Sequence, residues 1–154
     1  MNWEAIGAIG EVLGAAGVII TLGYLAFQLR RSNEQARATT LQQTLDSELA
    51  LMSVLVEHTG TWDRVVRGEA LENGEETRTA TVLYNMVMTE GENRYHQFES
   101  GFLDLQSWEG RIASLRPIVC LPLYEKWQQT AGALNHSANF LNLLEDLRQE
   151  GLGE

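Results

Sequence analysis

From Val12 to Leu29 the chain runs for 18 residues without a formal charge, and the run closes on Arg30-Arg31. At about 1.5 Å of rise per helical residue such a run reaches ~27 Å, close to the ~30 Å of a bilayer's hydrocarbon. Backbone N–H and C=O groups find no water there, so a spanning segment must satisfy them internally, as a helix does. A core helix of a water-soluble domain is seldom so uniformly apolar, because one of its faces meets solvent. The run therefore predicts a transmembrane anchor over residues 1–31. The remainder of the chain divides into a helical domain over 32–150 and a frayed tail at 151–154.

A cleaved leader fits poorly. Glu4 and Glu11 stand where a leader carries Lys or Arg, and the apolar stretch exceeds the 7–15 residues usual in a leader. Direction follows from charge. Arg30, Arg31 and Arg37 follow the run, and no basic residue precedes it. The positive-inside rule then places the N-terminus in the periplasm and the larger domain in the cytoplasm. Trp3 and Glu11 mark the outer boundary, and Arg30 and Arg31 the inner one. Glu11 reads as a hydrated boundary residue rather than a carboxylate inside the bilayer, since it lies about 28 Å from Arg30 along a helix.

Small residues recur inside the anchor. Gly7, Gly14 and Thr21 are seven apart, as are Gly10 and Gly17. A seven-residue repeat keeps one helix face toward a partner in a left-handed crossing, and glycine lets backbones approach closely. Gly7, Gly10, Gly14, Gly17 and Thr21 are thus the expected helix-association face.

Composition narrows the rest. The formal net charge is −10, from 21 acidic and 11 basic residues, and Lys126 is the only lysine. Nucleic-acid binding needs clustered Lys and Arg to release counterions, so no nucleic-acid partner is expected. Cys120 is the single cysteine and excludes an internal disulfide framework. Two prolines among many Ala, Leu, Glu, Gln and Arg residues favour helices throughout.

The expected fold is all-α. A long helix over 33–58 carries an apolar stripe of Ala36, Leu41, Leu45, Leu49, Met52 and Val56, and Gly60 ends it. No Gly or Pro interrupts Arg31 to Thr59, so this helix continues the anchor with little break. Further helices are predicted over 61–71, 75–103, 106–116, 121–131 and 137–149. The third carries Tyr84, Val87, Met88, Gly91, Tyr95, Phe98 and Phe102 on one side; Pro117 breaks the fourth; Asn73-Gly74 makes a helix–helix corner.

The segment Trp3-Glu4-Ala5-Ile6-Gly7-Ala8-Ile9-Gly10-Glu11, the ending Tyr24-Leu25-Ala26-Phe27-Gln28-Leu29-Arg30, and Gly101-Phe102-Leu103 followed by Trp108 and Trp127 resemble an uncharacterised family of short bacterial single-span membrane proteins. The resemblance covers most of the chain and is most specific in the YLAxQ(I/L)R ending. It implies an all-helical cytoplasmic domain on an N-terminal anchor, and it implies no activity.

Candidate chemistry is sparse. Glu92, His96 and Glu99 fall on one face of the third helix, where carboxylates and an imidazole can hold a metal or exchange protons. The di-iron bundle motif instead spaces Glu and His by three and supplies the pair twice, so the trio reads as a polar cluster and no metal or cofactor is expected. His58 and His136 sit near helix ends, where a ring can cap carbonyls. No nucleophile elbow or phosphate-cradling loop is present, and no catalytic residue is assigned. The expected function is a non-enzymatic single-pass membrane protein whose glycine face assembles a homo-oligomeric scaffold or sensor. The alternative is an accessory subunit of a larger membrane complex. An ion-conducting oligomer or a small-ligand sensor is less favoured. The expected partners are the lipid bilayer and either a second copy or another membrane protein.

Overall fold

The computed structural model describes residues 3–153, except the side chains of residues 3–9 and of Val12. Its helices are α1 (Trp3–Glu57), α2 (Thr59–Val66), α3 (Gly74–Glu99), α4 (Leu105–Val119), α5 (Leu123–Gln128) and α6 (Ala138–Leu152), with a 3₁₀ turn at Ala133–Asn135 before α6. No strand occurs among the described residues, so the fold is all-α. The chain divides into two units, 1–40 and 41–154.

In the first unit the described side chains from Gly10 to Thr39 are all exposed. Ile19 and Ile20 keep 69% and 72% of their surface free. Among the described residues α1 is the one helix long and apolar enough to cross a membrane, and none of its apolar window is buried. Its polar side chains bond locally. Thr21 Oγ1 donates to the Gly17 carbonyl at 2.8 Å, and Gln28 Nε2 donates to Tyr24 Oη at 2.8 Å.

The second unit is built round α3, which packs against α2, α4 and α5, while α4 packs against α6. The spacing along α3 explains its central place. Ala80, Leu83, Tyr84, Val87, Met88 and Gly91 recur at three- and four-residue steps and are all buried. Ala80, Tyr84, Val87 and Met88 cluster with Leu115 and Val119 of α4, Leu123, Tyr124 and Trp127 of α5, and Phe140, Leu144 and Leu147 of α6, while Trp108 of α4 lies against Tyr95 and Phe98 further along α3. The aromatic side chains Trp108, Trp127 and Phe140 of α4, α5 and α6 are core residues. Trp127 and Tyr84 are fully enclosed, with ring centroids 5.8 Å apart. A buried aromatic of this size removes roughly 150–250 Å² from water, the largest single contribution available to so small a core.

The ends of the helices follow local chemistry. Asn73 caps α3, its Oδ1 accepting from Glu75 N and Glu76 N at 2.9 Å each. Asp104 caps α4 by accepting from Ser107 N at 2.9 Å, and these bonds hold its carboxyl below the ordinary aspartate value. Gly101, at φ 72°, closes α3: its own N–H reaches Phe98 O, and Phe102 N reaches Gln97 O, both at 2.9 Å. Only glycine takes that left-handed backbone cheaply.

Four local expectations are corrected. Helix α4 runs through Pro117 to Val119. The proline removes one hydrogen bond in the last turn, while Val119 and Leu115 stay fully buried and Tyr84 Oη donates to the Ile118 carbonyl at 2.8 Å. Gly60 lies inside α2, and the turn after α1 falls at His58. Helix α6 continues through Gly151 to Leu152, because Gly151 lies against Cys120, whose sulfur would sit 2.8 Å from an added Cβ. Finally, the expected stripe of the 33–58 segment is not its packed side. Leu41, Leu45, Leu49, Met52 and Val56 are exposed, and Thr44, Glu48, Leu51 and Leu55 turn toward α3 and the core instead.

Candidate functional site

Two regions hold the residues singled out from the sequence. The first is the small-residue face of α1. An added Cβ at Gly10, Gly14 or Gly17 would meet nothing within 4 Å. Thr21 shares that open side, its hydroxyl satisfied by Gly17 O. The face is therefore clear of this chain's own atoms. Glu11 is exposed, and Arg30 forms an exposed pair with Glu34 at 3.5 Å, beside an exposed Arg31. The side chains of Trp3 and Gly7 lie outside the described residues.

The second region is the polar side of α3. Of the expected trio, Glu92 is half-buried, His96 is largely exposed, and Glu99 is exposed. His96 Nε2 lies 3.5 Å from Glu92 Oε1, but the stronger partners of Glu92 come from the start of α6. Ser137 N donates to Glu92 Oε1 at 2.7 Å, and His136 Nδ1 lies 2.5 Å from Glu92 Oε2. Burial pushes the Glu92 carboxyl upward, but the hydrogen bonds from Ser137 and His136 prevail and hold it below 4.5. An ionised carboxylate can only accept, so Nδ1 carries the proton of that bond. His136 is thus a buried bridge between α3 and α6, packed on Trp127 and Phe140. This replaces the expected role of a ring capping carbonyls. Its Nε2 is enclosed and faces no hydrogen-bond partner. These bonds tie the middle of α3 to the start of α6.

A larger ionic cluster was not anticipated. Glu90 is 5% exposed and pairs with Arg94 one turn on and with Arg111 Nη2 of α4 at 2.5 Å. Arg94 Nη2 also reaches Glu48 of α1 at 2.6 Å, and Arg111 Nη2 donates to the Val87 carbonyl at 2.9 Å. Burial lowers the Arg111 pKa against the support of Glu90, from a value so high that the guanidinium stays charged. Two half-buried arginines share one buried carboxylate, with Glu48 completing the balance at the rim. The sequence carried a signal for this. Glu90 falls three residues after Val87 on the apolar side of α3, and a carboxylate there requires a cation.

A groove of about 290 Å³ opens between residues 47–54 and α3. Its polar floor is already engaged: Asn85 Oδ1 accepts from Trp127 Nε1 at 3.0 Å, and Glu90 is held by Arg94 and Arg111. Among the described residues no three His, Cys, Asp or Glu side chains converge in the manner of a metal site.

No protein-family model, no curated protein and no solved structure matches this chain.

Proposed function

We propose that this chain is a non-enzymatic, single-pass membrane protein of the bacterial inner membrane, anchored by residues 12–29 with its N-terminus in the periplasm and its helical domain in the cytoplasm. The anchor associates with a second copy through Gly7, Gly10, Gly14, Gly17 and Thr21, and the assembly serves as a scaffold or sensor. One observation carries the reading: the apolar run is exposed from Leu13 to Leu29, whereas the apolar side chains of α3 to α6 form a closed core. So long an apolar surface in water is unfavourable by roughly 25 cal/mol for each Å², and a bilayer removes that cost. Arg30, Arg31 and Arg37 supply the direction. The open side at Gly10, Gly14 and Gly17 supplies the association face.

The test has two stages. The full chain is expressed, and the membrane fraction is washed with alkaline carbonate; retention in the pellet supports the anchor, and release into the wash overturns it. The protein is then extracted in mild detergent, and its mass is measured by light scattering beside Gly14→Leu. A multiple of the chain mass that falls to the monomer in Gly14→Leu supports self-association. Monomers in both samples overturn it and favour the accessory-subunit reading.

A further inference from the structure

We infer that the exposed face of Leu45, Leu49, Met52 and Val56 docks a second copy of this chain, side by side and parallel, as a left-handed seam. The inference rests on the membrane-anchored self-association proposed above, and it extends that contact into the folded domain.

The face stands out within its own unit. Leu49 and Val56 keep 68% and 73% of their surface free, although Leu51 and Leu55 on the same helix pack on the core. The steps 45, 49, 52 and 56 are four, three and four residues, the spacing of a two-stranded coiled coil. The neighbouring side of the helix is already used, since Thr44 Oγ1 donates to Gln97 Oε1 at 2.7 Å and Glu48 holds Arg94. The domain therefore covers one side of its first helix and leaves a second, apolar side uncovered.

The register of the sequence points to an identical partner. Leu49 and Val56 lie whole multiples of seven residues after Gly14 and Thr21, and Leu45 and Met52 after Gly10 and Gly17, with no skip between. Two identical chains inserted in one bilayer share direction and axial height, so equivalent positions meet automatically. Positions between the two apolar stretches are Gln28, Gln35 and Gln42 in one row and Arg31 and Ala38 in the other. Polar groups in such rows fix register at a cost in stability, and Arg31 meets the Arg31 of the second copy there, a like-charge pair for which lipid phosphates are the available counter-charge. At the flanking positions charge is compatible with a parallel pair. The flanking positions that would face each other are Glu34 with Thr39, Leu41 with Asp46, and Glu48 with Ser53, and none joins like charges. Four side chains from each copy fall well short of the ~800 Å² per partner of a standard interface. The shared membrane must supply the missing affinity as effective concentration.

Single cysteines introduced into a Cys120→Ser background of the full chain, kept in membranes, provide the test. Leu49→Cys and Val56→Cys lie on the seam, Ala50→Cys and Glu57→Cys lie off it, and Gly14→Cys reports the anchor face. All five are oxidised with copper phenanthroline. The expected result is a disulfide-linked dimer at 49 and 56, formed about tenfold faster than at 50 and 57, because only the seam positions bring equivalent Cβ atoms together. Cross-linking at 14 without cross-linking at 49 and 56 overturns the seam and leaves the anchor contact standing. No dimer at any position overturns both. Equal yields at 49, 50, 56 and 57 mean random collision and overturn the seam, as does an adduct whose mass is not twice the chain. Because Leu49 is exposed, Leu49→Asp should retain the helical content and melting temperature of the parent while losing the Val56→Cys cross-link. Retention of that cross-link overturns the proposal.

Discussion

Two stretches of this chain have similar apolar character and opposite fates. Residues 13–29 present Leu, Val, Ile and Phe side chains on every side of one helix, all exposed. Residues 80–147 present comparable side chains on one side of each of four helices, and those are enclosed. The difference is periodicity. An apolar stripe lets helices cover one another and leave polar faces to water, whereas a helix apolar all round cannot be covered by a partner on one side. The helix at residues 41–57 stands between these cases, with one side covered by its own domain and one apolar side left over.

This contrast can be broken most sharply at the centre of the core. Trp127→Ala should destabilise the domain by about 3–5 kcal/mol, since it removes a fully buried ring and leaves Asn85 Oδ1 without its donor. Ile20→Ala should leave the unfolding midpoint of the domain where it was. Chemical denaturation of the full chain in detergent, followed by tryptophan fluorescence and circular dichroism, measures both; equal losses would erase the distinction between the two stretches.

The ionic cluster gives the next effect. Glu90→Leu should cost about 3 kcal/mol or more, because Arg111 and Arg94 lose their buried counter-charge. Adding Arg111→Met should restore much of the loss, although it removes a second polar side chain. The same denaturation experiment checks this, and a double variant weaker than the sum of the singles would count against a paired buried charge.

At a helix end, Asn73→Ala should cost about 1 kcal/mol by releasing the first N–H groups of α3. The expected shift in midpoint is correspondingly smaller than for Trp127 or Glu90.

The Glu92 bridge adds a pH dependence. Its folded pKa is below the ordinary 4.5, so the carboxylate contributes stability that is fully present above about 4.5 and is lost as pH falls through the lower folded value. Glu92→Gln should flatten the acid limb of a plot of melting temperature against pH. An unchanged acid limb would remove Glu92 from the account.

Much of the fold was legible because it depends on local rules. The apolar stripe of α3 and the turn at Asn73 each follow from spacing or from a residue's own backbone preference, whereas α3 stops at Glu99, short of the expected 103, where Gly101 takes a left-handed backbone and leaves Phe102 outside the stripe. The misplaced features share one cause, competition between partners remote in sequence. Pro117 reads as a helix break until Val119 is seen buried and Ile118 O is seen accepting from Tyr84. His136 reads as a cap until Glu92, 44 residues away, is seen beside it. The stripe of Leu45, Leu49, Met52 and Val56 reads as a core face because periodicity shows that a helix has an apolar side, not what covers it.

By itself the sequence determined the all-helical class, a helix long and apolar enough to cross a membrane, and the heptad phase of its small residues. These are properties of consecutive residues and their periods. The tertiary structure alone decided which side of residues 41–57 the domain covers, that Glu90 gathers Arg94 and Arg111, and that Glu92 belongs with His136 and Ser137 rather than Glu99. Those outcomes depend on which helices pack together, and packing is settled by the fit of surfaces from distant parts of the chain.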